Sequence, residues 1–167
     1  MTQVRTGFGF DVHRLTPDRE LWLGGIRIPH THGLLGHSDA DVLIHALCDA
    51  LLGAANLRDI GYHFPDTSAD YAGIDSKILL RRTMQLVAEK GYCLGNADIT
   101  VCAEHPKLSP YIPAMRQTLA ALMNTDEDNV SVKATTTERL GFTGREEGIA
   151  AYASVLIEKG SGSSEVL

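Results

Sequence analysis

The sequence predicts an α+β protein in which helices pack on one face of a mixed four-stranded sheet, giving a two-layer α/β sandwich with a short N-terminal hairpin. Three observations lead to this fold class. Apolar and polar residues alternate along residues 4–13, which is typical of a strand. Strand-like and helix-like patterns then follow one another along the chain, which indicates helices packed against a sheet. Residues 149–157 form a continuous apolar run, which is typical of a central strand.

The other elements follow in chain order from local patterns. The Gly24-Gly25 pair predicts the turn of a hairpin over residues 21–28, and residues 30–37 are expected to form a loop. Ser38 followed by Asp41 resembles a capping box, so we expect Ser38 to cap a helix over residues 39–55. A long loop is predicted at 56–74, further helices at 75–90 and 112–123, and strands at 97–103, 130–134 and 149–157.

Length and composition limit the classes of function. The chain has 167 residues without an internal repeat, which predicts one domain over residues 1–159 and a flexible C-terminal tail at 160–167. A net charge of −6 argues against nucleic acid or an anionic membrane as the main partner. The three cysteines indicate neither a disulfide framework nor a zinc site with cysteine ligands. We find no signal segment and no apolar run of membrane-spanning length, so a reducing cytoplasm is the expected location.

The first strand carries a candidate metal-binding pair. Asp11 and His13 are two residues apart and therefore project from the same face, with backbones roughly 7 Å apart. That separation suits two side chains that converge on one metal ion. Gly7 and Gly9 lie on the same face, where we expect them to leave room for a ligand. The alternative is an edge strand with a solvated aspartate and histidine.

The first long helix is apolar on nearly all sides and should be buried. Its polar side chains, Asp41, His45 and Asp49, are four residues apart and form one narrow stripe. Because unpaired buried polar groups cost a few kcal/mol each, the stripe must face something polar. His45 is therefore either a metal ligand or a core histidine that is hydrogen-bonded to Asp41 or Asp49.

Two loops that follow strands contain residue types suited to phosphate. Residues 104–109 include Lys107 and Ser109, and residues 135–138 are three threonines and Glu138. Hydroxyls, backbone amides and a lysine can hold phosphate oxygens, and a carboxylate can hold Mg²⁺ that bridges phosphates. Threonines that cap a turn are the alternative. Neither loop is a Walker motif, and the sequence has no G-x-G-x-x-G.

Taken together, these motifs resemble those of the 2-C-methyl-D-erythritol 2,4-cyclodiphosphate synthase family of the non-mevalonate isoprenoid pathway. The resemblance covers residues 4–157. It rests on G-F-D-V-H at 9–13, G-H-S-D-A-D-V at 36–42, H-A-L-C-D-A-L-L-G-A-A at 45–55, D-I-G at 59–61, F-P-D-T at 64–67, A-T-T-T-E at 134–138 and L-G-F-T-G-R at 140–145.

The resemblance implies an intramolecular phosphoryl transfer. 4-Diphosphocytidyl-2-C-methyl-D-erythritol 2-phosphate would be converted to 2-C-methyl-D-erythritol 2,4-cyclodiphosphate and CMP by a phosphorus–oxygen lyase. Divalent metal ions would be the cofactors, with Zn²⁺ on Asp11, His13 and His45 and with Mg²⁺ or Mn²⁺ on Glu138. Asp49, one turn after His45, would either orient the imidazole or serve only in helix packing.

The resemblance also assigns residues to the substrate. His37 and Thr136 would stabilise the transition state. The methylerythritol phosphate would be surrounded by Ser38, Asp59, Gly61, Phe64, Pro65, Asp66, Thr67 and Ser68. Further residues expected to bind the substrate are Asp11, Val12, His13, His37, Ile60, Phe142 and Arg145. The cytidine diphosphate would lie against Ala103, Glu104, His105, Pro106, Lys107, Leu108, Ser109, Thr135, Thr136, Thr137 and Glu138.

Members of this family are homotrimers with active sites between subunits, and the same assembly is expected here. Prenyl diphosphates are a further expected partner, in a cavity on the three-fold axis near Phe10, Phe142, Arg145 and Glu147. Glu146 stands where many relatives have glycine, so we expect the local loop geometry to differ from theirs. His63 and His105 are not needed as metal ligands.

Two other classes of protein are alternatives. A largely helical metal phosphohydrolase of the HD type would require nearly all-α periodicity and a His-Asp dipeptide, and the sequence has neither. A trimeric small-molecule binding module without catalytic activity fits the predicted fold, but it gives no purpose to Asp11, His13 and His45.

Overall fold

The computed structural model describes residues 3–67, 71 and 73–160, and the predicted tail lies outside these residues from 161 onward. The strands are β1 (Val4–Pro17), β2 (Leu21–Leu23), β3 (Ile26–Ile28), β4 (His32–Leu35), β5 (Tyr92–Cys102), β6 (Val130–Thr135) and β7 (Gly148–Lys159). The helices are α1 (Val42–Ala54), α2 (Ile60–His63), α3 (Ser76–Glu89), α4 (Ile112–Met123) and α5 (Gly141–Gly144). Helices α3 and α4 match their predicted ranges closely, and the predicted long loop contains α2.

The main sheet has the strand order β4-β1-β7-β5-β6. Strand β7 pairs antiparallel with β1 on one side and with β5 on the other, so it is central, as its apolar run predicts. Strands β5 and β6 are parallel, which makes the sheet mixed. Strands β2 and β3 form the predicted hairpin. A largely helical phosphohydrolase fold is therefore wrong for this chain.

The sheet has five strands rather than the predicted four, because β4 occupies part of the predicted loop at 30–37. Residues 32–35 pair antiparallel with residues 14–17 at the end of β1. This segment reads His-Gly-Leu-Leu, which is too short to show an alternating pattern. Its extended conformation comes from pairing with β1, which is a tertiary contact that local sequence does not contain.

Helix α1 packs against β1 at the two glycines of the first motif. A Cβ atom on Gly7 would lie 1.9 Å from the backbone oxygen of Ala50, and one on Gly9 would lie 1.9 Å from that of Ala46. The prediction that these glycines leave room for a ligand is therefore wrong, because the backbone of α1 takes that space. This close approach brings α1 against the strand that carries Asp11 and His13.

Helix α1 begins at Val42, and its N-cap is Asp41 rather than the predicted Ser38. The buried carboxylate of Asp41 accepts hydrogen bonds from the backbone nitrogens of Ile44, Gly24 and Gly25. Asp41 thus ties the start of α1 to the turn of the β2–β3 hairpin. One member of the predicted polar stripe is accordingly a structural cap, which leaves Ser38 free for other contacts.

The face of β1 that points away from α1 is apolar and exposed. Phe8 is 68% exposed and Phe10 is 44% exposed, and the ring of Tyr152 on β7 lies 5.0 Å from that of Phe10. Val4 and Val12 share this face, which we call the outer sheet face. Among the residues that the structure describes, none of the helices combines the length and apolarity that crossing a membrane requires.

Candidate functional site

Three side chains converge where α1 crosses β1. Nε2 of His13 lies 3.0 Å from Oδ2 of Asp11, and Nδ1 of His45 lies 3.1 Å from the same oxygen. The two imidazole nitrogens are themselves 3.1 Å apart. In the described part of the chain, this trio is the one group of three or more histidine, cysteine or acidic side chains whose geometry could hold a metal ion. The structure thus brings together the strand pair and the helix histidine, as predicted.

The outer nitrogen of each imidazole is held by the protein. Nδ1 of His13 lies 2.9 Å from the carbonyl oxygen of Leu35 on β4, and because a carbonyl only accepts, Nδ1 carries the proton. Nε2 of His45 lies 3.0 Å from the hydroxyl of Ser76 and 3.2 Å from that of Ser38. Strand β4, which the sequence did not predict, therefore helps to orient a site residue.

The remaining members of the polar stripe have other partners. Asp49 accepts a hydrogen bond of 2.8 Å from the backbone nitrogen of Ile60 and so anchors the start of α2. Asp41 caps α1, as described above. The interpretation of His45 as a core histidine bound to Asp41 or Asp49 does not match these contacts, because serine hydroxyls and Asp11 surround its ring.

The donor atoms of the trio fit a cation. With Nδ1 of His13 committed to a carbonyl, its Nε2 directs a lone pair towards Asp11 and His45. Facing acceptor atoms about 3 Å apart repel one another unless a positive charge lies between them. Two imidazoles and one carboxylate are also a ligand set that zinc accepts, and three protein ligands leave one position open.

When no ion is bound, a proton takes the place of the cation: Nε2 of His13 then donates to Asp11 instead of presenting a lone pair. Burial would raise the pKa of Asp11, but hydrogen bonds from His13 and His45 outweigh it and hold that pKa well below its usual range. Burial would lower the pKa of His13, but the hydrogen bond and charge of Asp11, together with the Leu35 carbonyl, raise it overall. Asp11 is thus kept as an anion at neutral pH, which is the form that binds a cation.

A cavity of about 390 Å³ opens beside the trio. Of the residues predicted to bind the substrate, it is lined by His13, His37, Ser38, Ile60, Gly61, Phe64 and Asp66. Asp59 caps α2 through a hydrogen bond of 2.9 Å from the backbone nitrogen of Tyr62, and so shapes the cavity wall. Predicted residue Ser68 lies outside the described residues, and Val12 is on the outer sheet face.

Three apolar residues of this cavity were not predicted, namely Tyr71, Ile74 and Leu79. Tyr71 stacks edge-on against Phe64, with ring centroids 5.7 Å apart. Leu79 belongs to the apolar face of a predicted helix, so its pattern indicated packing only. Tyr71 and Ile74 fall in the predicted long loop, which carries no periodic signal. The cavity lining therefore combines the polar groups of the trio with apolar side chains.

The two phosphate-type loops lie together in the structure. Because β5 and β6 are parallel neighbours, the segments that follow them leave the same edge of the sheet. They enclose a second cavity of about 390 Å³, lined by Ala103, Glu104, His105, Pro106, Lys107, Leu108, Ser109, Ala134, Thr135 and Thr136. We call this the loop pocket. Its lining combines a lysine with serine and threonine hydroxyls, which suits a phosphorylated nucleoside.

Glu138 lies just beyond the loop pocket. Its Oε1 is 3.4 Å from the hydroxyl of Thr136, and its backbone is left-handed, as is that of Arg139. Two successive non-glycine residues in this region are unusual and are found mostly at functional sites. In one chain, β1 and β6 are separated by two strands, which amounts to about 14 Å of sheet. Glu138 therefore does not join the trio of Asp11, His13 and His45.

The residues predicted to lie near a prenyl cavity are exposed. Arg145 makes a two-pronged ion pair with Glu147, with nitrogen–oxygen distances of 3.0 and 3.2 Å. Phe10 is on the outer sheet face, and Phe142 belongs to α5. Glu146 adopts a left-handed backbone at φ 56°, and its carboxylate lies 3.1 Å from Nδ1 of His105.

Comparison with known proteins gives one consistent result. Residues 4–158 match the model of the YgbB family. The chain is 72% identical over 157 residues to 2-C-methyl-D-erythritol 2,4-cyclodiphosphate synthase of Parabacteroides distasonis, an alignment that covers 94% of this chain and 98% of the relative.

Two solved structures are similar in fold and sequence. Bifunctional IspDF from Campylobacter jejuni superposes with a TM-score of 0.92 and 46% identity, covering 95% of this chain and 43% of that longer protein. IspF from Plasmodium falciparum, in complex with CDP, gives a TM-score of 0.84 and 34% identity, covering 96% of this chain and 99% of that one.

Proposed function

The chain belongs to the YgbB family of 2-C-methyl-D-erythritol 2,4-cyclodiphosphate synthases, and from this premise we infer how its residues carry out that reaction. The activity converts 4-diphosphocytidyl-2-C-methyl-D-erythritol 2-phosphate into the cyclic diphosphate and CMP, a step of the non-mevalonate isoprenoid pathway. The observation that carries the account is the convergence of Asp11, His13 and His45 beside a cavity whose lining combines polar and apolar side chains.

We propose that Asp11, His13 and His45 hold a divalent ion, for which zinc is the best match to two imidazoles and one carboxylate. Such an ion supplies charge neutralisation to phosphate oxygens. The protein's own part is to fix the donor atoms: the Leu35 carbonyl orients His13, and His45 is held by contacts on the outer side of its ring. Donors that are held in place before the substrate arrives need no reorganisation during the reaction.

The nucleophile in this reaction is a phosphate oxygen of the substrate itself. It is already an anion, so the chain needs no strong general base, and catalysis depends on folding the substrate and balancing its charge. We propose that His37 and Ser38 bind the 2-phosphate side, since both line the cavity beside the trio. The apolar side chains of the lining, Ile60, Phe64 and Leu79, would receive the methyl-bearing carbon skeleton and exclude water.

We propose that the loop pocket binds the cytidine diphosphate. Support comes from its lining by Lys107, Thr135 and Thr136 and from the CDP bound to the Plasmodium falciparum relative. Thr136 would direct its hydroxyl to the phosphate that is attacked. Glu138 would hold Mg²⁺ or Mn²⁺ that is otherwise bound by substrate and water, because a single carboxylate with several waters is a common arrangement for Mg²⁺.

The separation of the two pockets supports a shared active site. About 14 Å of sheet lies between the strands that carry them, whereas one substrate must contact both. The outer sheet face is apolar and exposed in one chain, which is typical of a surface that another subunit covers. We therefore propose a homotrimer in which the loop pocket of one chain completes the trio site of its neighbour.

We keep the prenyl diphosphate cavity as a proposal that follows from the trimer. Three copies of Arg145 around an axis would repel one another unless they are neutralised, and the pairing of Arg145 with Glu147 supplies one way of doing so. A cytoplasmic location also remains a proposal, supported by the unpaired thiols of Cys48, Cys93 and Cys102.

The activity is tested by incubating the protein with the cytidine-linked substrate and measuring CMP. We expect release of one CMP per substrate consumed, loss of release on chelation of metal, and recovery when zinc and magnesium are returned. Wild-type release that survives complete removal of metal would contradict the metal-dependent mechanism while leaving the family assignment in place.

Lys107→Ala is expected to weaken CMP binding roughly tenfold or more, because hydrogen bonds to charged groups contribute about 1.5–3 kcal/mol. Isothermal titration calorimetry with CMP measures this directly. Lys90→Ala is the matched control, since Lys90 follows α3 and lines neither pocket. Equal CMP affinity in the Lys107 variant and the wild type would mean that the loop pocket does not hold the nucleotide phosphates.

Native mass spectrometry is expected to show a species of about 54 kDa, three times the 18.1 kDa chain. Phe8→Asp should shift the mass towards 18.1 kDa, because it places a charge on the outer sheet face, where Phe8 is 68% exposed in one chain. Ile78→Asp, on the exposed side of α3, is the control and should leave the mass unchanged. A wild-type protein that is monomeric and fully active would defeat the shared active site.

A further inference from the structure

The outer side of His45 is backed by a short hydrogen-bonded chain that ends in a carboxylate. Ser76 is fully buried at the start of α3, and its hydroxyl oxygen lies 3.0 Å from Nε2 of His45. The same hydroxyl donates its proton to Oδ1 of Asp39. Asp39 also accepts hydrogen bonds from the backbone nitrogens of Ser76, at 3.0 Å, and Asp41, at 3.2 Å.

These contacts decide which nitrogen of His45 carries its proton. A serine hydroxyl has one proton, and that of Ser76 is committed to Asp39, which as a carboxylate can only accept. Ser76 can therefore offer His45 only a lone pair, so Nε2 must be the donor. The neutral imidazole then has a bare Nδ1, which is the atom that faces Asp11 and His13.

We propose that Asp39 and Ser76 are positioning residues that fix the tautomer and ring orientation of His45 for metal binding. The proposal rests on the proposed function, since it concerns the same three-ligand site. It goes beyond that function because it assigns a role to Asp39 and Ser76, neither of which is one of the three proposed metal ligands. Partners of this kind commonly change metal affinity 10–100-fold when they are removed.

The local fold explains why Ser76 is available for this contact. The N-cap of α3 is the preceding residue, Asp75, whose carboxylate accepts from the backbone nitrogen of Lys77. The hydroxyl of Ser76 is thus not needed to cap its own helix. Its pairing with Asp39 instead joins the start of α3 to the loop before α1. His45 projects from α1 itself.

The second serine near His45 takes a different part. Ser38 lies 3.2 Å from Nε2 of His45 and accepts a hydrogen bond from the backbone nitrogen of Ala40. Because Nε2 already carries a proton, the hydroxyl proton of Ser38 must point elsewhere. Ser38 lines the cavity beside the trio, so that proton can be donated to a phosphate oxygen of the substrate. Ser76 therefore orients the histidine and Ser38 faces the ligand.

The test measures zinc affinity by competition with a chelator of known affinity, on the full-length protein. Ser76→Ala removes the acceptor, and we expect a 10–100-fold loss of zinc affinity. Asp39→Asn places an amide against Ser76, so the hydroxyl can turn its proton towards His45, and a comparable loss is expected. Thr83→Ala is the matched control, because it deletes another buried hydroxyl of α3, and its zinc affinity should equal that of the wild type.

A spectroscopic measurement separates orientation of His45 from general loosening of the fold. In zinc-loaded protein with nitrogen-15-labelled histidine, the Nε2 proton of His45 should give a slowly exchanging signal in the wild type and Thr83→Ala. Its exchange with solvent should be at least tenfold faster in Ser76→Ala. Thermal unfolding of each variant verifies folding, and Asp39→Asn provides the comparison if Ser76→Ala does not fold.

The outcomes distinguish this proposal from the proposed function. Wild-type zinc affinity and an unchanged Nε2 proton in folded Ser76→Ala or Asp39→Asn would overturn the positioning role while leaving the metal site intact. A wild-type protein that binds no zinc would overturn the metal site and with it this inference. Weaker zinc binding in both variants, with Thr83→Ala unchanged, is the result that supports it.

Discussion

His45→Gln is expected to lower the rate of CMP release at least about 1,000-fold. The histidine supplies Nδ1 to the trio while its Nε2 contacts the serines. A glutamine amide can reach the serine side but leaves the inner position without a donor. The variant should therefore keep the contact to Ser76 and lose the metal. Charge neutralisation by a metal lowers the activation free energy by several kcal/mol. A difference of about 1.4 kcal/mol corresponds to a factor of ten in rate.

The measurement pairs activity with elemental analysis. Wild-type protein should carry about one zinc-type ion per chain, and the His45 variant should carry far less. Asp11→Asn and His13→Gln should behave alike, because the three donors act together. His32→Gln is the control: His32 lies on β4 and lines neither pocket. Stoichiometric metal together with normal CMP release in His45→Gln would show that the histidine is part of the core only.

Gly9→Ala is expected to cause the largest loss of stability among single-methyl substitutions on β1. The added Cβ would lie 1.9 Å from the backbone oxygen of Ala46 and 2.7 Å from the backbone nitrogen of Ala50. Backbone atoms of a helix cannot move aside separately, so α1 would have to shift away from β1. Overpacking of this kind costs about 3 kcal/mol or more, which should lower the melting temperature by roughly 6–12 °C.

Thermal unfolding followed by circular dichroism measures this effect. Gly53→Ala is the matched control, because Gly53 is in α1 and, apart from its neighbours and the nearby backbone of that helix, no atom lies within 4 Å of the added Cβ. That variant should be as stable as the wild type or more stable by about 0.5–1 kcal/mol, since glycine disfavours helix interiors. A melting temperature for Gly9→Ala equal to that of Gly53→Ala would mean that α1 does not approach β1 as closely as described.

Most strands and helices could be predicted because their patterns are long and regular. Strand β7 is a continuous apolar run, and β6 alternates cleanly between apolar and polar residues. Strand β4 was missed because its four residues become extended only by pairing with β1. The N-cap was misassigned for a related reason: Asp41 binds amides of the β2–β3 turn, a contact that the residues around it do not reveal.

The candidate site likewise has one part that local sequence predicts and another that depends on tertiary contacts. Residues that are two apart share a face of any strand, so the convergence of Asp11 and His13 follows from local geometry. What occupies the space beside a glycine is a tertiary question, and at Gly9 the answer is a helix rather than a ligand. The sequence did not indicate that Ser76 belongs to the site, because a serine at the start of a helix is usually interpreted as part of the cap.

The most direct test of the account is the identity of the product formed in water enriched in oxygen-18. Phosphorus NMR of the reaction of metal-replete protein with the cytidine-linked substrate should show CMP and a cyclic diphosphate, neither of which contains oxygen-18. The reason is that the attacking oxygen belongs to the substrate's own phosphate rather than to water. A linear phosphate product that carries oxygen-18, or no conversion by folded and metal-replete protein, would contradict the account.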